Sequence, residues 1–163
     1  MFNAKRAVIL MAFLVSGCFS TDPNKVMPPA KPTPPVAPVD EVSFDKALTK
    51  ARRAAGVGVL TENKALERSA TGHAKDMERK EYLAHVNPAG LNFDKRMLRA
   101  GYCIASMAEN IAEGPKTEAA VFKMWMDSPA HRKNMLNGKY TQYGLARSGR
   151  YWVLDLAGPC VRN

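Results

Sequence analysis

The stretch Tyr143-Gly144-Leu145-Ala146-Arg147-Ser148-Gly149-Arg150-Tyr151-Trp152-Val153-Leu154-Asp155-Leu156 decides the fold class. Tyr143 to Ala146 and Tyr151 to Leu156 are aromatic and aliphatic runs of strand length, and Arg147-Ser148-Gly149-Arg150 between them has the composition of a hairpin turn. Upstream the pattern changes to helical spacing. Phe44, Ala47, Leu48 and Ala51 predict a helix over 42–55, stopped at Gly56. Leu66, Ala70, His73, Ala74 and Met77 form one stripe of a second helix over 63–79. A third, short helix fits 93–100, with Gly101 as its stop. Thr117 is a good N-cap for a fourth, with Val121, Phe122 and Trp125 on its buried side. Ser128-Pro129 breaks that helix and starts a new turn towards Met135. Helices first and strands last argue for an α+β domain over a doubly wound sheet.

Working outward, 163 residues suit one domain with appendages, since domains run to about 100–150 residues. A hydrophobic share of 46% is enough for a real core. A membrane helix needs roughly 20 consecutive apolar residues, and the longest run, Ala7 to Val15, is too short. With Lys5 and Arg6 ahead of it, that run reads as the apolar core of a signal peptide over residues 1–17. It ends in Leu14-Val15-Ser16-Gly17-Cys18, and small residues before a cysteine resemble the lipobox of bacterial lipoproteins. Under that resemblance Cys18 takes a diacylglyceryl group, the leader is cleaved and the new amino terminus is acylated, for example with palmitate. Several acyl chains anchor firmly, because each buried methylene contributes about 0.8 kcal/mol. The alternative is an ordinary signal peptide with an incidental Cys18. Ser20 in place of an acid favours the periplasmic face of an outer membrane.

Seven of the eleven prolines lie between Pro23 and Pro38. Proline lacks an amide donor and fixes φ, so residues 18–41 read as an extended tether, gaining about 3.1 Å per residue. Reach is the simplest use; recognition through a P-x-x-P pattern is the alternative. Residues 42–163 make the globular domain. The formal charge is +9, and losing Lys5 and Arg6 with the leader leaves 22 basic against 15 acidic residues, or +7. The bases are scattered, which reads as a solvated surface and argues against nucleic acid as a partner. Export places Cys103 and Cys160 in an oxidising compartment, where a disulfide between them is expected.

Four phrases carry a resemblance. They are His73-Ala74-Lys75-Asp76-Met77, Tyr82-Leu83-Ala84-His85, Ala108-Glu109-Asn110-Ile111-Ala112 and Trp125-Met126-Asp127-Ser128-Pro129-Ala130-His131-Arg132-Lys133-Asn134-Met135-Leu136. Together, in this order, they resemble the bacterial branch of the CAP superfamily (cysteine-rich secretory proteins, antigen 5, pathogenesis-related 1). The resemblance implies an α-β-α sandwich with a small antiparallel sheet between helices. It therefore implies one more strand, for which Ile104 to Met107 is the best stretch.

In that family two histidines and two acids converge in a cleft that binds a divalent metal such as zinc in several members. His85, Glu109 and His131 match three of those positions. The fourth is Ser128, which puts any chemistry needing two carboxylates in doubt; Asp127 beside it is a partial substitute. Imidazoles are good zinc ligands, and Glu109 is then a ligand or a base on bound water. The alternative is that His85 and His131 hydrogen-bond to Glu109 and fix the loops. His73, on an apolar stripe, reads as a core residue, and Asn110 as a partner for backbone groups around the cleft. Trp125 and Trp152 read as core anchors, and the methionines as adaptable packing.

Three readings follow. One is a module that binds a lipid, sterol or cell-envelope ligand near the membrane. Another is a zinc-dependent hydrolase or peptidase using His85, His131 and Glu109. The third is an envelope interaction protein whose cleft is vestigial. No G-x-S-x-G motif supports a serine nucleophile, and binding ranks ahead of catalysis. Mass spectrometry tests the anchor: the native protein is expected to carry the diacylglyceryl adduct on Cys18, and Cys18→Ser to lose both that mass and its membrane partition. Identical mass and partition in Cys18→Ser would refute lipidation.

Overall fold

The computed structural model describes residues 42–103 and 105–161. The leader of residues 1–17, Cys18, the proline-rich segment to residue 41, and Ile104 lie outside the described residues.

Helix α1, Phe44–Ala54, buries Phe44 and Leu48 on one face. The next turn of that face buries Arg52, which has no exposed surface. Its guanidinium donates from Nε to Gly58 O (2.7 Å), from Nη1 to Met135 O (2.6 Å) and Asn137 O (3.2 Å), and from Nη2 to Tyr140 O (3.1 Å). A buried charge is tolerated when hydrogen bonds replace its water, and here they tie α1 to the segment ahead of the C-terminal strands.

The two-residue strand β1, Thr61–Glu62, leads into α2, Lys64–Lys80. Asn63 caps α2 by accepting from Ala65 N (2.8 Å) and Leu66 N (3.3 Å). All five residues of the predicted stripe are buried, His73 included. Helix α3, Phe93–Arg99, precedes β2, Met107–Glu113. Helix α4, Glu118–Asp127, is capped as expected by Thr117, which accepts from Ala120 N (3.2 Å). Helix α5, Pro129–Met135, starts at the predicted break. Strands β3, Gln142–Ser148, and β4, Tyr151–Ala157, form the predicted hairpin. Its turn tightens to Gly149-Arg150, with Gly149 at φ +53°, the left-handed conformation two-residue hairpins favour.

The sheet order is β1-β3-β4-β2. The pairs β3–β4 and β4–β2 are antiparallel, and β1 joins the edge of β3 in parallel, so the sheet is mixed and not purely antiparallel as expected. The expected extra strand exists but begins at Met107, where the predicted stretch ends, and runs to Glu113. Helix α2 covers one face, with Ala70, Ala74 and Met77 against Ile111, Tyr151 and Val153. On the other face, α1 and α4 set Phe44, Leu48, Val121 and Trp125 against Tyr143, Trp152, Leu154 and Leu156. The α-β-α layering is as anticipated, and β4 is buried along its whole length.

Both tryptophans are core anchors, with Nε1 donating to Ile111 O (3.2 Å) from Trp125 and to Pro115 O (2.9 Å) from Trp152. Met77, Met97 and Met135 fill the core, whereas Met124 faces solvent. Cys103 and Cys160 form the expected disulfide across a sequence separation of 57.

Helix α2 approaches the sheet most closely at Gly144. A Cβ there would lie 2.2 Å from Glu67 N and 2.3 Å from Leu66 C. Those atoms are helix backbone and cannot rotate away. Gly144→Ala is therefore expected to lower the unfolding free energy by about 2–3 kcal/mol in urea titrations; wild-type stability would refute this close packing.

Candidate functional site

The site is built around Glu109, a buried carboxylate on β2, the edge strand next to β4. Its side chain lies on the α2 face of the sheet. Arg96 of α3 donates from Nη2 to Glu109 Oε2 at 2.5 Å, and both side chains are buried. The other Glu109 oxygen, Oε1, accepts from His85 Nδ1 at 2.8 Å. Arg96 also fixes the backbone of the loop that carries His85, donating from Nη1 to His85 O (2.8 Å) and Leu91 O (2.7 Å). His73 Nε2 holds the preceding carbonyl, Ala84 O, at 2.9 Å. Asn87 closes the loop by accepting from Ala89 N (3.1 Å) and Leu91 N (2.9 Å).

His85 is thus aimed by buried groups while its own side chain is 49% exposed. In the neutral ring the Nδ1 proton points to Glu109, leaving Nε2 as an acceptor. Leu83 (46%) and Val86 (53%), two residues before it and one after it in the chain, are exposed as well.

Strand register places Glu109 directly opposite Asp155 of β4. Asp155 is fully buried. Burial first, and the Glu109 charge second, push its carboxyl well above the usual carboxylate range. Of these two cross-strand carboxylates, Asp155 is therefore the one whose protonated form the sheet face favours.

The opposite face of β2 serves α5. Asn110, fully buried, donates from Nδ2 to His131 O (3.1 Å) and accepts at Oδ1 from Asn134 Nδ2 (2.9 Å). His131 is half-buried, and its Nδ1 has no hydrogen-bond partner among the described residues. Burial, and then the charge of His85, lower its pKa below the ordinary value. The edge of β2 therefore brings His85 and His131 within electrostatic reach of each other from opposite faces. Ser128 is the half-buried junction of α4 and α5, and its side chain makes no capping bond. Asp127 points away to solvent and pairs with Lys123 Nζ at 2.6 Å.

Two members of the site are absent from the candidates read in the sequence, Arg96 and Asp155. Asp155 carried a signal: it is the lone acid in the apolar run Trp152–Ala157. Arg96 carried none, since Lys95-Arg96 on a short helix reads as a solvated face.

Catalytic zinc takes three protein ligands and an open position. Among the described residues no group of three or more His, Cys, Asp and Glu is placed to hold a metal ion. Glu109 has one oxygen on Arg96 and the other on His85. Its place is behind His85, orienting it, as carboxylates do beyond a ligating imidazole. The donor set does not fit a resident three-ligand zinc centre.

Comparison with known proteins gives the same architecture. The family model described as "CAP: Cysteine-rich secretory protein family" matches residues 46–154. The uncharacterized protein YkwD of Bacillus subtilis is 36% identical over 129 residues, which cover 75% of this chain and 50% of that protein. The uncharacterized membrane protein YlbC of the same organism is 28% identical over 98 residues, 60% of this chain and 28% of that protein. The chain thus spans half or less of the length of these curated relatives. Among solved structures, an extracellular protein containing an SCP domain from Bacillus anthracis superposes with a TM-score of 0.69 at 24% identity, covering 71% of this chain and 39% of that one. An outer surface protein of Borrelia burgdorferi gives 0.66 at 18% identity, covering 71% and 89%.

The buried acid has a consequence for stability. In the unfolded chain Asp155 ionises near pH 3.9, but in the native sheet it keeps its proton to much higher pH. Its contribution is complete below about pH 4 and is lost as pH rises through the folded-state pKa. His73 and His131, both lowered by burial, act in the opposite sense and cost stability as pH falls below about 6.5. Asp155→Asn keeps the size of the side chain but cannot ionise. Its stability relative to wild type is expected to improve as pH rises above about 4. Parallel profiles in urea titrations would mean that Asp155 is ionised in the native protein.

Proposed function

This chain belongs to the CAP, or cysteine-rich secretory protein, family, and from that premise we propose that it is an exported binding domain of the cell envelope whose His85 rim receives the polar head of an amphiphilic ligand, a lipid or sterol. Its relatives include extracellular and outer surface proteins. The proposal extends to a lipid anchor at Cys18, a proline-rich tether over residues 18–41, and residence on the periplasmic face of an outer membrane.

One observation carries the reading: Glu109 is fully engaged by Arg96 and His85, while the half-exposed His85 lies in a segment that also exposes Leu83 and Val86. A carboxylate held at both oxygens is poorly placed to activate water. A half-exposed imidazole in a segment that also exposes apolar side chains suits a ligand with a hydroxyl beside a hydrocarbon body. His131 and Ser128 add polar groups on the α5 side, and the missing second acid weighs against chemistry that needs two carboxylates.

A second reading is hydrolysis, and the His85–Glu109 pair favours it. A carboxylate on Nδ1 fixes the tautomer and leaves Nε2 available as a general base. Water is then the nucleophile and Glu109 a positioning residue. Zinc at His85 and His131 is a further proposal, against which the donor set weighs.

Organic extraction of protein purified from envelopes, followed by mass spectrometry, is expected to release a lipid. Leu83→Asp with Val86→Asp should lower its yield severalfold at an unchanged melting temperature. Failure to release lipid, together with failure to bind lipid in vitro, would overturn the binding reading. Ester or peptide hydrolysis abolished by His85→Ala would establish the second. Zinc titration is expected to give no stoichiometric heat at micromolar protein, and tight equimolar binding lost in His85→Ala with His131→Ala would reverse the view of the metal.

A further inference from the structure

Behind the His85 rim, between α2 and α3, lies an open basin of about 800 Å³. Its lining is strongly one-signed. Arg68, Lys75, Arg79, Arg96 and Arg99 contribute positive charge against a single acid, Asp76. That acid is already satisfied: it takes bonds from Arg79 (2.6 Å), Lys80 (2.9 Å) and the Tyr82 hydroxyl (2.7 Å). Against the upward push of partial burial, those partners hold its carboxyl down to about 2.

The inner wall is built from buried polar side chains, not from mobile surface lysines. Arg96 is 8% exposed and keeps Nη1 and Nη2 on the His85 loop and Glu109, yet its Nε has no partner among the described residues. His73 beside it is buried, and its Nδ1 is likewise without a partner among the described residues. Since Nε2 donates to Ala84 O, Nδ1 of the neutral ring is an acceptor. Both residues line the basin, so it is backed by one buried donor and one buried acceptor that the described residues leave unpaired. At the mouth, Gly72 presents no side chain, and a Cβ built there meets nothing within 4 Å.

We infer that this basin is a binding site for a phosphoryl group, distinct from the His85 rim and independent of the function proposed for it. Clustered guanidinium groups suit a phosphate, whose oxygens accept in the fork geometry that arginine offers. The shared chemistry is a phosphoryl group, and its source, a lipid headgroup or a soluble phosphate compound, is what the two probes below distinguish.

The test uses the full-length Cys18→Ser chain, which keeps every residue of this face and removes the anchor. Inorganic phosphate is titrated calorimetrically at low ionic strength, with chloride at matched ionic strength as the control. Co-sedimentation is measured with phosphatidylcholine vesicles with and without phosphatidic acid. Three variants accompany wild type. Arg99→Gln removes a charge at the rim, Arg99→Lys restores it, and Gly72→Leu obstructs the mouth without altering any charge.

Phosphate heat beyond the chloride control is expected, weakened about tenfold in Arg99→Gln and in Gly72→Leu and largely recovered in Arg99→Lys. The same variant pattern with phosphatidic acid vesicles alone would support the site and identify a lipid headgroup as its source. Equal binding by wild type, Arg99→Gln and Gly72→Leu to either probe, or no binding to both, would overturn the inference.

Discussion

One buried carboxylate sets the terms for the rest of this domain. Glu109 sits on a sheet face covered by a helix, and an ion in such a place costs several kcal/mol unless it is paired. Arg96 pairs it. Because Arg96 comes from α3 and also holds the backbone of the His85 loop, the requirement to neutralise Glu109 fixes where α3 docks and how His85 is presented. Asp155, directly across the strands, meets the same dry surroundings with no cation of its own and takes the other solution, keeping its proton. A single sheet row thus contains an ion pair and a neutral acid. The difference between two similar side chains is the reach of one arginine.

Arg52 shows the second way this chain buries a guanidinium. Where Arg96 meets a carboxylate, Arg52 meets only carbonyls, those of Gly58, Met135, Asn137 and Tyr140. Dispersed partial charges satisfy its donors without fixing any acid, so Arg52 acts as a staple between α1 and the chain ahead of β3. Arg96 is coupled to an exposed histidine through Glu109, and it is there that structure reaches the surface as chemistry. Among the described residues the two buried arginines therefore divide into one that holds the fold and one that holds the site.

The position of β2 at the sheet edge explains how residues distant along the chain meet. Glu109 and Asn110 are neighbours in sequence and point to opposite faces. Glu109 positions His85 from the α2 side, and Asn110 positions the backbone of His131 from the α5 side. An interior strand would have had a neighbour where the two histidines approach. An edge strand leaves that flank free, and the loop before α3 and the start of α5 occupy it.

Much of this was legible in the order of residues, for a definite reason. Amphipathic stripes, the Thr117 cap, the break at Ser128-Pro129 and the aromatic hairpin are local signals, set by the helical and strand repeats and by single side chains bonding nearby amides. They named four helices, a new turn after Pro129, two strands and the α+β class, while the resemblance carried by the motif phrases implied the layered sandwich and picked out His85, Glu109 and His131. The strand Met107–Glu113 escaped because Glu109, Asn110 and Glu113 interrupt its apolar pattern, and β1 because two residues carry no period. What Glu109 touches, which acid keeps its proton, and that Arg96 is interior while Asp127 is not, were decided only by tertiary structure. Those facts depend on which distant groups share a desolvated space, and a charge read along the chain has no dielectric until the chain has folded around it.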